Sequence, residues 1–314
     1  MALYDVPAPA KINLFLHVTG RRDDGYHRLQ TAFRFVDLCD YLNFDLRRDG
    51  QIRREGPAPA GLEPEQDLVV RAAKALQRAT GTSLGAQINY RKRIPSGGGL
   101  GGGSSNAATT LIALNRLWRT GLARDELMRL GLALGADVPV FVFGQAAFAE
   151  GVGEDLSPLD LPDRAYVIVQ PDDSVSTGAV FASPDLTRNS QCVKMSFFAD
   201  WQRNSTPSNE SVADCADGGQ AGYFGRNDLE PVVMANHPRV RQAGMWLARQ
   251  GLNARMTGSG CCFFAEFATL KSALMWQKRI DVKITSCESS DHSIRNSWAC
   301  AGLHDHPLRH WIRS

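Results

Sequence analysis

The sequence lacks the features that mark membrane, secreted and nucleic-acid-binding proteins. It has no run of about 18 apolar residues, the length that a membrane-spanning helix needs. A signal peptide requires a basic leader before its apolar part, and the N-terminal segment shows no such leader. A net charge of +2 gives no electrostatic case for nucleic acid. We therefore expect no membrane and no nucleic-acid partner.

Cysteine is sparse and without pattern. The seven cysteines are an odd number and form no Cys-x-x-Cys pair or regular framework. This usage is typical of a reducing compartment, so a cytoplasmic protein is expected. A chain of 314 residues can fold without disulfides or a structural metal. The composition does not determine the oligomeric state, and a monomer or weak homodimer is the working expectation.

Glycine, in contrast, is concentrated in one stretch. Residues 94–114 read IPSGGGLGGGSSNAATTLIAL, and six of the seven residues 97–103 are glycine. Glycines let backbone N–H groups converge on an anion, and the unsatisfied N–H groups of a following helix point the same way. We interpret the stretch as a phosphate-binding loop. Ser104 and Ser105 can cap that helix and offer hydroxyls to a phosphate or its magnesium ion.

Three other interpretations of the glycine run fit less well. Its spacing matches the dinucleotide fingerprint Gly-x-Gly-x-x-Gly, but Asp125 and Glu126 open a helix where a Rossmann unit needs an acidic residue at the end of a strand. An adenylate P-loop ends in Gly-Lys-Ser/Thr, and this run contains no lysine. A flexible linker is polar on both sides, whereas this run lies between an expected strand and an amphipathic helix.

The first half of the chain has strands before helices, which is typical of an α+β domain. Alternation over 10–18 predicts a strand with one buried face and with Lys11, Asn13 and His17 on its polar side. A later strand ends at Asp49-Gly50, a dipeptide that favours a hairpin. A strand is also expected over 87–92, and helical spacing appears over 67–79, after the glycine run, and over 124–134.

The second half predicts a separate unit. RAYVIVQP is a strand, followed by a helix over 240–250, strands at 252–256 and 261–267, a helix over 270–280 and a strand over 281–286. With a helix allowed after the first strand, this approximates the β-α-β-β-α-β order of ferredoxin-like domains. The polar stretch 189–222 is interpreted as an irregular insertion. A boundary near 157–164 gives domains 1–160 and 161–314.

Two charged residues could carry chemistry. Lys11 lies in an apolar strand, where an ammonium is costly unless paired, although a lysine can also extend to solvent. Asp137 follows a helix stop, where it could instead cap a short helical turn. A lysine beside a carboxylate can orient or deprotonate an alcohol. The spacing alone leaves open whether the two residues meet.

Three further segments have a structural and a functional interpretation. Gly25-Tyr26-His27 is either an ordinary turn or an aromatic platform with a hydrogen-bonding ring for a flat heterocycle. MTGSGCCFF is a hairpin that could also form a second glycine-rich wall for an anion. The C-terminal histidines lack helical spacing with an acidic partner, so we interpret them as surface residues: His292, His304, His306 and His310.

Several of these segments, taken in order, resemble the GHMP small-molecule kinases. They are PAPAKINLFLHVTGRRDDGYHRLQT, PSGGGLGGGSSNAAT, LGADVPVFVFGQAAFAEGVGE, NDLEPVV and RMTGSGCCFFAEF, and they span residues 7–267. The triple glycine on each side of Leu100, the Gly-Tyr-His loop and GADVPVF are unlike mevalonate, homoserine and galactose kinases. They are similar to the member of the non-mevalonate isoprenoid pathway whose substrate carries a cytidine diphosphate.

The resemblance implies a fold and a reaction. The α+β fold would join an N-terminal domain like ribosomal protein S5 to a ferredoxin-like C-terminal domain. The reaction would transfer a phosphoryl group from ATP, with Mg²⁺, to the hydroxyl of a small-molecule substrate. Lys11 and Asp137 would be the catalytic pair, with Asp137 as the base or orienting carboxylate and Lys11 neutralising charge.

The resemblance also implies binding residues. Asn13 would lie near the same hydroxyl, Tyr26 would stack on the cytosine, His27 would read its polar edge and Phe181 would close the other side. Magnesium would lie near Ser104 or Ser105, and we assign it to Ser105. The loop around the ATP phosphates would comprise Pro95, Ser96, Gly97, Gly98, Gly99, Leu100, Gly101, Gly102, Gly103, Ser104 and Ser105. The wall beside them would comprise Thr257, Gly258, Ser259 and Gly260.

Three alternative functions are weighed against this one. A GHMP kinase for another alcohol would not need the Tyr26-His27 platform. A ligand sensor with the same fold would not need both Lys11 and Asp137. A dinucleotide-dependent oxidoreductase lacks the acidic strand end described above.

Overall fold

The computed structural model describes residues 1–56, 63–207, 209, 223–285 and 293–312. Among these residues, no helix combines the length and the apolar character needed to cross a membrane. They form ten strands: β1 Ala2–Arg21, β2 His27–Arg47, β3 Ile52–Glu55, β4 Gly85–Arg91, β5 Ala147–Glu150, β6 Asp155–Pro158, β7 Ala165–Pro171, β8 Arg255–Met256, β9 Phe263–Phe267 and β10 Ile294–Leu303.

The same residues form nine α-helices and two short 3₁₀ turns. The helices are α1 Leu68–Thr80, α2 Gly102–Leu117, α3 Arg124–Leu132, α4 Val138–Phe143, α5 Thr177–Ala182, α6 Met195–Asn204, α7 Glu230–Asn236, α8 Pro238–Arg249 and α9 Leu270–Thr285. The 3₁₀ turns are Pro64–Gln66 and Arg309–Trp311.

One sheet runs through the molecule. Its main path is β3-β4-β2-β10-β7-β9-β8, with β1 and β5 also paired to β2 and β6 paired to β5. β10 joins the two halves, since it pairs with β7 along most of its length and with β2 at Gly302↔Val36 and Leu303↔Phe35. The mixture of helices with a mostly antiparallel sheet agrees with the predicted α+β class.

β1 is longer than the predicted strand, and the expectation of a single buried face is wrong. Every side chain from position 8 to 18 is buried, including Lys11, Asn13 and His17. The reason is that other loops cover the polar side. Lys11 N donates to Leu100 O at 3.0 Å, and Asn13 N donates to Thr257 Oγ1 at 2.8 Å. The most polar part of the strand therefore lies in the interior.

The second half contains the predicted β-α-β-β-α-β order in β7, α8, β8, β9, α9 and β10, with α5, α6 and α7 between β7 and α8. The fourth strand is not at 281–286, because α9 continues to Thr285 with Ala273 and Ile280 on its buried face. Ser286 lies outside the described residues. The stretch 189–222 is not wholly irregular, since α6 forms there with Phe198 and Gln202 buried one turn apart. Residues 208 and 210–222 lie outside the described part.

The hairpin expected at Asp49-Gly50 is also wrong. β3 pairs in parallel with β4 and not with β2, so the chain turns away from the strand that it has just left. Gly50 adopts φ +72°, and its carbonyl accepts a hydrogen bond from Gln77 Nε2 of α1 at 2.8 Å. The turn is therefore held by α1 and, through the bond from Ala86 N to Gln51 O, by β4, and not by a hairpin partner of β2.

One C-terminal histidine departs from its predicted place. His304 and His310 are exposed, but His306 is buried against the Phe35 ring, with ring centroids 5.9 Å apart. Burial lowers the pKa of His306 to about 3, so this ring is neutral. His292 lies outside the described residues.

Buried apolar side chains form three clusters, one in each half and one between them. The cluster between the halves joins Ile12 of β1 to Tyr166 of β7 and Phe264 of β9. Leu308 and Ile312, beyond β10, pack into the cluster of the first half. The proposed boundary near position 160 lies between β6 and β7, whereas the end of the described chain returns to the N-terminal core.

A buried carboxylate fixes the entry into the glycine run. Asp40 of β2 is fully buried, and its Oδ1 accepts hydrogen bonds from the backbone N–H groups of Arg93 (2.6 Å) and Ile94 (2.9 Å). Its Oδ2 pairs with the ammonium of Lys92. A single side chain therefore satisfies two backbone donors and one cation immediately before the glycines.

We expect Asp40→Ala to lower the free energy of unfolding by about 2–4 kcal/mol, because it leaves two backbone N–H groups and a cation without their acceptor. Urea titration of both proteins measures this difference. Asp200→Ala removes a carboxylate whose only described ion pair, with Arg203, is exposed, so its effect should stay within about 0.5 kcal/mol. Equal losses in the two variants would contradict the anchoring role of Asp40.

Candidate active site

A cavity of about 1120 Å³ lies between β1, the glycine run and the loop from β8 to β9. It gathers most of the predicted site residues in one place. Those that line it are Lys11, Asn13, Tyr26, His27, Pro95, Ser96, Gly97, Gly98, Gly99, Leu100, Gly101, Gly102, Gly103, Ser104, Asp137, Phe181, Gly258, Ser259 and Gly260. Ser105 and Thr257 do not line it.

The glycine run has a backbone that only glycine adopts readily. Gly97, Gly99 and Gly101 have φ of +69°, +76° and +70°, in the left-handed region that side chains disfavour. At Gly99 a Cβ would also lie 2.2 Å from Thr257 O, and at Gly258 a Cβ would lie 2.7 Å from Gly99 O. The two glycine-rich loops are therefore packed backbone against backbone, and the absence of side chains permits that contact.

The loop between β8 and β9 is the second wall that the sequence suggested. Cys261 N and Cys262 N donate to Gly97 O and Gly98 O at 3.2 and 3.1 Å. Asn227, from the NDLEPVV segment, donates Nδ2 to Gly258 O at 2.8 Å. These bonds hold the wall against the glycine run. Thr257 is one layer behind this wall, since its side chain is fully buried and accepts from the backbone of Asn13.

Helix α2 begins at the cavity without a side-chain cap. Gly101 occupies the N-cap position and makes no capping hydrogen bond, so Ser104 and Ser105 do not cap the helix as predicted. They lie inside its first turn. The first N–H groups of a helix have no partner within it and carry its positive dipole end. The start of α2 is therefore suited to bind an anion.

The two serines differ in position. Ser104 lines the cavity, whereas Ser105 is fully buried and its hydroxyl has no hydrogen-bond partner among the described residues. The assignment of magnesium to Ser105 therefore does not fit the geometry, because the hydroxyl does not reach the cavity. Of the two hydroxyls, that of Ser104 is the available oxygen donor.

Lys11 and Asp137 meet. Lys11 Nζ lies 3.2 Å from Asp137 Oδ2, with the lysine side chain 4% exposed and the aspartate side chain 37% exposed. Asp137 precedes α4 but accepts no capping hydrogen bond from it, and Lys11 does not extend to solvent. The solvent-exposed alternative for Lys11 is thus wrong. Asp137 occupies the N-cap position of α4 but does not cap it with its side chain, and a buried cation holds this carboxylate at the cavity surface.

A chain of hydrogen bonds fixes the side chain of Asn13 beside this pair. Thr31 donates its hydroxyl to Phe15 O at 2.5 Å, so its oxygen accepts from Asn13 Nδ2 at 2.8 Å. The other end of the amide, Asn13 Oδ1, then accepts from Lys11 Nζ at 2.6 Å. Asn13 and Asp137 together surround the ammonium with oxygen.

Lys92 is a cavity residue that the sequence interpretation missed. A Cβ on Gly102 would lie 3.1 Å from Lys92 Nζ, so this ammonium lies over the first turn of α2. The basic tripeptide Arg91-Lys92-Arg93, directly before the glycine run, was the available indication. It places a second cation beside the expected phosphate position.

At the other end of the cavity, His27 and Phe181 form a stacked pair. Their ring centroids are 5.1 Å apart with an interplanar angle of 29°. Tyr26 lies beside them with 64% of its surface exposed. Burial lowers the pKa of His27, and the guanidinium groups of Arg188 and Arg21 lower it further. The structure thus brings the three rings to one cavity wall, with Phe181 in contact with His27.

Oxygen donors for a metal are few here. In the described part of the chain no group of three His, Cys, Asp or Glu residues could hold a metal ion. Mg²⁺ is commonly bound by one or two protein oxygens together with substrate phosphates. Ser104 and Asp137 both line the cavity and provide oxygens of that kind.

Comparison with known proteins agrees with this geometry. Residues 67–145 match the family described as GHMP kinases N terminal domain. The chain is 56% identical to the 4-diphosphocytidyl-2-C-methyl-D-erythritol kinase of Bordetella parapertussis, with 100% of both chains covered. It is 51% identical to that of Aromatoleum aromaticum, covering 99% of this chain and 97% of the relative.

Solved structures give the same result. A crystal structure of 4-(cytidine 5'-diphospho)-2C-methyl-D-erythritol kinase matches with a TM-score of 0.74 and 30% identity, covering 96% of this chain and 99% of the other. The homoserine kinase of Cytophaga hutchinsonii matches in fold, with a TM-score of 0.64 at 17% identity, covering 97% and 95%.

The family-model match over residues 67–145 and the full-length relatives place the chain among the GHMP kinases, and the glycine loop before an uncapped helix and the Lys11–Asp137 pair agree with that class. Within that class, the chain belongs to the family of the 4-diphosphocytidyl-2-C-methyl-D-erythritol kinases.

We expect Gly99→Ala to lower the free energy of unfolding by about 2–4 kcal/mol, since a Cβ there combines left-handed strain with overlap of a carbonyl. Gly103→Ala is the matched control in the same run, because its Cβ would make only an ordinary 3.4 Å contact with Leu68 Cδ1. Urea titration compares the two variants. If Gly99→Ala were as stable as Gly103→Ala, the close packing of the two loops would not constrain this position.

Proposed function

We propose that this protein uses ATP to phosphorylate the 2-hydroxyl of 4-diphosphocytidyl-2-C-methyl-D-erythritol. The products would be the 2-phosphate and ADP, in the non-mevalonate synthesis of isoprenoid precursors. The observation that carries the proposal is the Lys11–Asp137 pair, 3.2 Å apart, in the same cavity as the glycine run. The names of the closely related proteins support the choice of substrate.

The glycine run suits the phosphates of ATP. Backbone N–H groups and the uncapped start of α2 offer donors to phosphate oxygens, and the ammonium of Lys92, which is paired with Asp40, adds further N–H donors above that turn. In phosphoryl transfer the transition state is loose, so a protein acts chiefly by positioning groups and stabilising charge. The glycine run, the start of α2 and Lys92 would position ATP, the phosphoryl donor, and stabilise the charge on its phosphates.

At the acceptor side, Asp137 would orient the 2-hydroxyl toward the γ-phosphorus and take up its proton. The substrate oxygen forms the new P–O bond while the bond from the γ-phosphorus to the β,γ-bridging oxygen breaks, and ADP leaves. Lys11 would stabilise the negative charge on the transferring group. The amide of Asn13, fixed by Thr31, keeps the ammonium in place.

Magnesium would be held by phosphate oxygens together with Ser104 and Asp137, and not by Ser105. When bound it would neutralise phosphate charge. Both residues line the cavity, and their oxygens are of the type that the ion prefers.

The aromatic wall would receive the cytosine. Tyr26 offers an exposed ring for stacking, and His27 offers a polar edge. Phe181 would support His27 by stacking on it rather than enclose the base opposite Tyr26.

We also infer that the second half is the ferredoxin-like domain, a reading that its antiparallel strand order β10-β7-β9-β8 supports. The S5-like name for the first half rests on the family resemblance. A cytoplasmic location and a monomeric or weakly dimeric state stay predictions.

The first experiment measures ADP release with ATP and Mg²⁺ on four alcohols: the cytidyl substrate, mevalonate, homoserine and galactose. We expect release with the cytidyl substrate alone. Asp137→Asn should lower kcat by about 10²–10⁴-fold, because the carboxylate that orients the hydroxyl and takes up its proton is lost. Asp160→Asn, an exposed site between β6 and β7, is the control. ADP release with another alcohol would refute the proposed substrate. Normal turnover by Asp137→Asn would refute the proposed role of Asp137.

Tyr26→Ala should raise KM for the cytidyl substrate by about tenfold to a hundredfold, the range that corresponds to loss of one base–aromatic stack. The value of kcat should change little, because the ring lies away from Lys11 and Asp137. Tyr4→Ala is the control, since Tyr4 is equally exposed at 65% but lies at the start of β1. An unchanged KM in Tyr26→Ala would remove the stacking role.

A further inference from the structure

Arg188 lies behind the aromatic wall and is held from several sides. The described residues give its guanidinium four hydrogen bonds. Three go to the backbone carbonyls of Leu186 (3.0 Å), Phe181 (3.1 Å) and Ser183 (2.6 Å). The fourth goes from Arg188 Nε to His27 Nε2 at 3.0 Å. Arg188 does not line the cavity, so its contact with substrate would be indirect.

The bond to His27 determines which ring nitrogen carries the proton. A guanidinium has only N–H donors and stays protonated in proteins, so His27 Nε2 must be the acceptor. A neutral imidazole has one donor and one acceptor nitrogen, and the proton therefore lies on Nδ1. Among the described residues Nδ1 has no hydrogen-bond partner, while His27 itself lines the cavity. The Nδ1–H group is therefore the ring donor that remains for a ligand.

We propose that Arg188 is a positioning residue that locks His27 in the Nδ1–H tautomer, so that the wall selects a pyrimidine whose ring N3 is an acceptor: cytosine over uracil. This inference rests on the proposed function for the identity of the substrate. N3 of cytosine is an unprotonated acceptor, whereas N3 of uracil carries a hydrogen. A donor fixed on His27 pairs with the first and opposes the second.

The same guanidinium also fixes the support of the ring. Its bonds to the carbonyls of Phe181 and Ser183 hold the C-terminal end of α5, and Phe181 is the ring on which His27 stacks. Lysine could not replace this arrangement, because one ammonium lacks the planar fork that reaches several acceptors at once. One side chain therefore sets both the protonated nitrogen and the plane of the imidazole.

The tautomer can be measured without activity. In protein with ¹⁵N-labelled histidine, two-bond ¹H–¹⁵N spectra distinguish the protonated nitrogen of each ring, and the spectrum of His27→Gln identifies the His27 signals. We expect Nδ1–H in the wild type. Arg188→Met should give a mixture with Nε2–H, and so should Arg188→Gln, whose amide can donate or accept. Arg203→Met, at an exposed position on α6, should leave the spectrum unchanged.

Base selectivity provides the second measurement. The ratio of kcat/KM for the cytidyl substrate to that for its uridyl analogue should fall about tenfold or more in Arg188→Met and Arg188→Gln, chiefly through KM, because the donor is no longer fixed. Circular dichroism checks that each variant is folded. If Arg188→Met does not fold, the comparison uses Arg188→Gln. A tautomer change in a variant that circular dichroism shows to be folded is therefore not caused by unfolding.

The outcomes separate the two proposals. An Nε2–H tautomer in the wild type, or an unchanged tautomer and unchanged base selectivity in both folded variants, would overturn the role of Arg188. Absence of ADP release by the wild type with the cytidyl substrate would refute the proposed function, while the NMR result would still decide whether Arg188 sets the tautomer.

Discussion

The burial of one ammonium group organises the centre of the molecule. Lys11 is 3% exposed in the interior of a strand, where an unpaired charge would be costly. Asp137 and Asn13 supply the oxygens that make this position tolerable. Because β1 contributes the lysine and the segment before α4 contributes the aspartate, this requirement brings two distant parts of the chain together. The ion pair that could act on an alcohol is thus also a condition for packing β1.

The glycine run follows from the same burial. Leu100 O accepts from Lys11 N, so the run must lie directly against β1, and a Cβ on Gly101 would meet the lysine side chain at 3.1 Å. The loop from β8 to β9 closes the other side. With both neighbours this near, the glycines serve close packing as well as anion binding, and the two roles require the same backbone.

The sequence predicted which residues share the cavity better than it predicted their exact positions. Lys11, Asp137 and the glycine run are distinctive in residue type and spacing, so they could be found without coordinates. The position of Ser105 could not, because helical phase decides which of two adjacent serines faces the cavity. The polar side of β1 was misjudged since alternation does not report what covers a strand. Arg188 lies 161 positions from His27, and no local pattern indicates so distant a contact.

The same kind of contact occurs at both ends of the cavity: a cation that can only donate hydrogen bonds fixes a neighbouring polar side chain. Asn13 has an amide that could be turned either way, and His27 has a ring with two possible protonated nitrogens. In each case a side chain that can only donate, Lys11 or Arg188, occupies one end and leaves no choice for the other. A donor-only cation thus converts an ambiguous polar group into one of fixed polarity. Such groups discriminate between ligands because they cannot adapt to the wrong one.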